Sequence, residues 1–177
     1  MTAPEPQSLN QKCADACRSG DIATVKECFD SGIELNESDA VSGRNWLHLA
    51  IWYADGLELL NWLLEQGVTV DPNEIVAAAA RCRADCLASL LDHGADPNAV
   101  IRDTKESGLH MAASFGFMPT ATECVQLLLD AGADPNVHTA TRVESGTWAT
   151  GVYTMGETPL HLAVTFGDEK MVRLLCH

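Results

Sequence analysis

The sequence predicts an all-α chain of stacked helix pairs, and three observations carry that expectation. One phrase recurs: Asn45-Trp46-Leu47-His48-Leu49-Ala50, Ser107-Gly108-Leu109-His110-Met111-Ala112-Ala113, Thr158-Pro159-Leu160-His161-Leu162-Ala163, and a degraded Glu74-Ile75-Val76-Ala77-Ala78-Ala79. A second phrase recurs behind it: Leu63-Leu64-Glu65-Gln66-Gly67, Leu90-Leu91-Asp92-His93-Gly94-Ala95-Asp96-Pro97-Asn98 and Leu128-Leu129-Asp130-Ala131-Gly132-Ala133-Asp134-Pro135-Asn136. Between them, apolar residues return at helical spacing, bounded by capping residues and glycines.

The first copy, Ala14 to Asn36, is divergent: Ser19-Gly20-Asp21 marks its turn, Val25 and Phe29 its apolar stripe, and Ser31-Gly32-Ile33-Glu34-Leu35-Asn36 its exit. The last copy shows why the first phrase makes an inner helix. Thr158 is placed to cap the start, Pro159 suits the first turn, and Leu160, Leu162 and Ala163 point into the stack. Cys124-Val125-Gln126-Leu127-Leu128-Leu129 gives an outer helix its apolar stripe. Gly32, Gly67, Gly94 and Gly132 then stand where a helix ends in a left-handed residue. Ala50, Ala78, Ala79, Ala112, Ala113 and Ala163 are small enough for neighbouring helices to approach closely.

Three segments depart from the pattern. After Gly67 the chain reaches the next inner helix through Val68-Thr69-Val70-Asp71-Pro72-Asn73, with Asp71 as cap and Pro72 as first residue. Phe117-Met118-Pro119-Thr120-Ala121-Thr122 lengthens the connection after Gly116, and Pro119 prevents a continuous helix, so the loop there should bulge. The third departure lies between Asn136 and Thr158, where about 14 residues exceed the repeat period. Val137, Thr139, Thr141 and Val143 alternate with His138, Ala140 and Arg142, Glu144-Ser145-Gly146 offers a turn, and Thr147 to Thr154 is again β-prone, which reads as a hairpin.

The two phrases at this spacing resemble ankyrin repeats from about Leu9 to His177, whose period is about 33 residues. The resemblance implies an ankyrin-repeat solenoid of stacked helix pairs with short β-hairpin fingers, one finger extended. It places five repeats at approximately 9–39, 40–70, 71–103, 104–139 and 156–177, with an extended hairpin over 137–155 and a disordered tail over 1–8. Such a stack is elongated, each repeat packing only on its neighbours. A long insertion before a Gly-Glu-Thr-Pro-Leu-His phrase is similar to what some bacterial ankyrin proteins carry.

Composition limits the partners. A net charge of −14 argues against nucleic acid, whose binding relies on cations at phosphates. Residues 1–80 hold 13 Asp and Glu against 4 Lys and Arg, and residues 81–177 hold 12 against 7, so a partner with a basic surface would be steered to this chain. No apolar run approaches the roughly 18 residues of a membrane span. Met1 to Gln7 has no basic region or apolar stretch of a secretory signal, and the seven cysteines read as reduced thiols, so a cytoplasmic location is expected.

No catalytic, cofactor or metal site is expected. His48, His110 and His161 occupy the position at which the family's histidine resembles a brace between adjacent fingers, and His93 and His177 end outer helices, where the dipole favours a positive ring. Cys13/Cys17 and Cys82/Cys86 are each one helical turn apart, but a zinc ion needs four ligands and no second pair is expected nearby, which favours core packing. His-Glu-x-x-His, a Gly-rich loop ending in Gly-Lys and Gly-x-Ser-x-Gly are all missing.

The resemblance implies a protein-binding module that meets its partner on a concave face made of finger tips and the residues after the inner helix's Ala-Ala. By position these are Trp52 and Tyr53, Ala80 and Arg81, Ser114 and Phe115, Thr165 and Phe166, with Arg44, Glu106 and Glu157 on the fingers. Phe115 and Phe166 have a second reading, as covers for the junction between inner and outer helices. Trp46 and Trp62 are expected in the packing. Trp148 and Tyr153 would be contacts on the extended hairpin, the alternative being that the insertion folds back on the last repeats. Two other functions fit less well: an acidic inhibitor or immunity-type protein occluding a basic enzyme such as a nuclease toxin, and a metal- or redox-responsive protein using its cysteines. The end near Val172 and Leu175 should be apolar and uncapped, leaving a monomer or weak self-association.

Overall fold

The computed structural model describes residues 8–54, 56–145 and 153–176. The chain divides into two compact units, Met1–Val70 and Asp71–His177, and the boundary falls within the short connection Val68-Asn73. The tail expected over 1–8 lies, apart from Ser8, outside the described residues.

In the first unit, α1 (Leu9–Ser19) packs on α2 (Ile22–Asp30) and on α3 (Trp46–Tyr53), and α3 packs on α4 (Leu57–Glu65). Ser8, Asp21 and Asn45 cap α1, α2 and α3 by accepting backbone N–H groups of the first turn. Trp46, in the inner-helix phrase, is fully buried, and its indole N–H donates to the Glu34 carbonyl at 3.2 Å. Trp62 meets Phe29 edge-on at 5.5 Å. A finger closes between α2 and α3, where the Asp39 N–H donates to the Arg44 carbonyl at 2.9 Å and Ser38 bridges Asn45.

The second unit holds three helix pairs: α5 (Pro72–Ala80) with α6 (Ala84–Asp92), α7 (Gly108–Ser114) with α8 (Ala121–Asp130), and α9 (Pro159–Phe166) with α10 (Glu169–Leu175). Inner helices stack α5 on α7 on α9, and outer helices α6 on α8 on α10. Buried Ala78, Ala79, Ala112 and Ala113 let the inner helices approach, as their small size led one to expect. Asp71 caps α5 and Pro72 begins it. The approach is closest at the inter-helix turns. A Cβ on Gly116 would lie 2.5 Å from the Gly167 Cα and 2.6 Å from the Phe166 carbonyl oxygen, so the turns of two successive repeats touch backbone to backbone. The loop after Gly116 does protrude, with Phe117, Met118 and Pro119 exposed.

The insertion contains a pair of strands. β1 (Thr141–Glu144) runs antiparallel to β2 (Tyr153–Met155), with Thr141 opposite Met155 and Glu144 opposite Tyr153. Of the turn expected at Glu144-Ser145-Gly146, Glu144 ends β1, and the connection beyond Ser145 lies outside the described residues. Ser145 is buried, and its hydroxyl donates to both carboxylate oxygens of Glu106 at 2.9 and 3.1 Å. Residues 146–152, Trp148 among them, lie outside the described residues.

The last repeat also departs from expectation. Leu175 is buried and Val172 half-buried; the exposed apolar residues are instead Val164, at 69%, and Phe166, both on α9. Their counterparts by position in α7, Ala113 and Phe115, are fully and half buried, because α9 lies over α7. Ala163 points into the stack, whereas Leu160 and Leu162 are only half-buried.

Candidate protein-binding surface

A buried histidine joins two successive repeats of the second unit. Ser107 donates its backbone N–H to the His110 Nδ1 at 3.2 Å, so that nitrogen carries no proton and Nε2–H donates to the Glu157 carbonyl at 2.9 Å. Burial is the largest influence on the ring and favours its neutral form, outweighing the carbonyl and carboxylates of Glu106 and Glu157, and its pKa falls below the ordinary 6.5. Glu157 itself is held by Met155, whose N–H donates to it at 2.7 Å, and by the Thr139 hydroxyl at 2.8 Å. Burial would raise its pKa, but those donors prevail and the carboxyl sits below its usual range.

Stacked helix pairs are what the recurring phrases led one to expect. A family model described as "Ankyrin repeats (3 copies)" matches residues 75–177. The chain belongs to the ankyrin-repeat family. No curated protein matches it. Ankyrin repeats make a protein–protein interaction module, so the question becomes which surface this ankyrin chain offers.

In the first unit Arg44 is exposed on the finger. Trp52 is half-buried and stacks on His48, with ring centroids 5.8 Å apart and planes 9° from parallel. Tyr53 is exposed, and the Arg18 guanidinium lies 5.9 Å from its ring centroid. Arg18 is fixed there by Asp15 at 2.9 Å and by buried Asp39 at 2.6 Å. Burial would raise the Asp39 pKa, but the Ser42 hydroxyl, backbone N–H groups of Ser42 and Val41, and Arg18 together lower it. Tyr53 thus sits on an ordered support.

In the second unit Arg81, Thr165, Phe166 and Tyr153 are exposed and Phe115 is half-buried. Ser114 is 1% exposed and Ala80 and Glu106 are buried, so these three present no surface. Met155 was not singled out by sequence, yet it is 65% exposed beside Tyr153 at 53%, with Thr154 between them buried. Strand alternation puts the two on one face. Phe117, 6.1 Å from Phe115, is another exposed aromatic outside the expected set. The outer helices differ in character, exposing Asp85, Asp92, Glu123 and Asp130.

Six of the seven cysteines are buried and Cys176 is exposed, all as free thiols. Desolvation pushes Cys82 up to about 11 and Cys86 and Cys124 up to about 12, which keeps them protonated and unreactive. A hydrogen bond with Cys17, with burial, raises Cys13 as well. Among the described residues no three His, Cys, Asp or Glu are grouped to hold a metal ion, and no helix is long and apolar enough to cross a membrane.

Proposed function

We propose that this ankyrin chain is a non-catalytic binding module that engages a protein partner with its fingers, the ends of its inner helices and the extended finger rooted at β1 and β2. The observation that carries this reading is the contrast within the second unit. Tyr153, Met155 and Phe166 are exposed on the extended finger and an inner helix, while the outer helices expose carboxylates. Large side chains on an ordered backbone bury much area on a partner with few rotors to immobilise. In the first unit Tyr53 has the same character.

Photo-crosslinking tests the reading. A crosslinkable residue at Tyr53, Tyr153 or Phe166 should trap one and the same protein from cells of the source organism, and one at Glu123 or Arg173 should not. Capture from the outer-helix positions alone would reverse the assignment.

A further inference from the structure

The tip of the finger between α6 and α7 carries charge of the opposite sign to the chain as a whole. That finger is closed by the Ile101 N–H, which donates to the Glu106 carbonyl at 2.9 Å, and by the Lys105 N–H, which donates to the Ile101 carbonyl at 2.8 Å. Arg102 and Lys105 are exposed at its tip. The extended finger adds a third cation. The Ala140 N–H donates to the Thr104 carbonyl at 2.7 Å, and Ser145 is bound to Glu106, so β1 and the exposed Arg142 lie alongside that tip. Lys105 and Arg142 both hold left-handed backbone, at φ 58° and 61°.

These cations are available. Lys12, Arg18, Arg83 and Arg173 are ion-paired and Lys26 lies over Trp62, whereas Arg102, Lys105 and Arg142, like the separate Arg44 and Lys170, have no ion-pair partner among the described residues. Glu106 and Glu157 accept internal hydrogen bonds, leaving Asp103 and Glu144 as the exposed carboxylates of the tip and β1. The acid excess of the rest of the chain is screened beyond about 8 Å at physiological ionic strength.

We propose that this finger surface takes an acidic segment of the protein partner: carboxylates meet Arg102, Lys105 and Arg142, and an adjoining apolar side chain packs on Tyr153 and Met155. The inference deepens the reading above and rests on it. Charge complementarity chooses the partner segment, and the apolar face of β2 adds contact area.

Fluorescence anisotropy on the full chain tests it, with a short labelled peptide of glutamate and leucine and a matched peptide of lysine and leucine as probes. The acidic peptide should bind, more weakly at high salt, and the combined Arg102→Glu, Lys105→Glu and Arg142→Glu variant should lose about tenfold or more in affinity. The neutral variant, with Gln at the same three positions, should fall between, and Lys170→Glu on the outer helix α10 should leave binding unchanged. Preference for the lysine peptide, absence of acidic-peptide binding, or equal affinity in the charge-reversed variant would overturn the proposal. If the charge-reversed chain still crosslinks its partner through Tyr153, the protein-binding role stands and the acidic-segment assignment fails.

Discussion

The Nε2–H of His110 donates to the carbonyl oxygen of Glu157, 47 positions further along the chain, at 2.9 Å. The same ring accepts the Ser107 N–H at Nδ1, which requires a neutral imidazole, and burial already favours that form, so the brace between these repeats is sensitive to acid. The folded-state pKa lies below 6.5, so protons bind the unfolded chain more readily. The stabilisation is fully present above pH 6.5 and is lost as pH falls through the folded-state value. Denaturation followed between pH 7.5 and 5 should show this decline. His110→Ala should cost about 2–4 kcal/mol at pH 7.5 and flatten the decline, the lower-pH losses from Asp39 and Glu157 remaining.

Gly116 and Gly132 should respond differently to alanine. At Gly116 the added carbon meets backbone atoms of Gly167 and Phe166, which cannot yield locally, and the loss should be about 3 kcal/mol. At Gly132 the space is open and only its φ of 92° opposes the change, so about 1 kcal/mol is expected. Chemical denaturation of the two variants compares them directly; equal losses would contradict the close approach of the turns.

The Ser145–Glu106 bond anchors the insertion to the finger that precedes it. Ser145→Ala leaves a buried carboxylate short of a donor and should cost about 2 kcal/mol. A double-mutant cycle with Glu106→Ala should give a coupling of about 1–2 kcal/mol. Additive losses would mean that the two side chains do not depend on one another.

Thiol titration separates surface from core. With an aromatic disulfide reagent at pH 8, one thiol per native chain, Cys176, should react, and all seven after denaturation. Fast reaction of several native thiols would contradict the buried placement.

Local chemistry made much of this ankyrin fold legible. Asp71 and Pro72 begin α5 as their types require, Gly32, Gly67, Gly94 and Gly132 all hold positive φ, and Trp46 is in the core. What sequence did not show depends on contacts distant along the chain. That Ser145 is buried follows from Glu106, 39 positions earlier, which accepts its hydroxyl. Ser114 reads as surface until α9 covers α7, and Met155 gains meaning from β pairing that leaves its face open. Cys82 occupies a turn at φ 50°, a position that a glycine pattern would not have marked.

The most direct test of the binding role is calorimetric affinity for the crosslinked partner, measured with single alanine variants whose melting temperatures match the parent chain. Tyr153→Ala and Phe166→Ala should each weaken binding about tenfold or more, and Glu123→Ala on the outer helix should stay within about twofold. Loss of affinity in Glu123→Ala, with Tyr153→Ala and Phe166→Ala unchanged, would contradict the account.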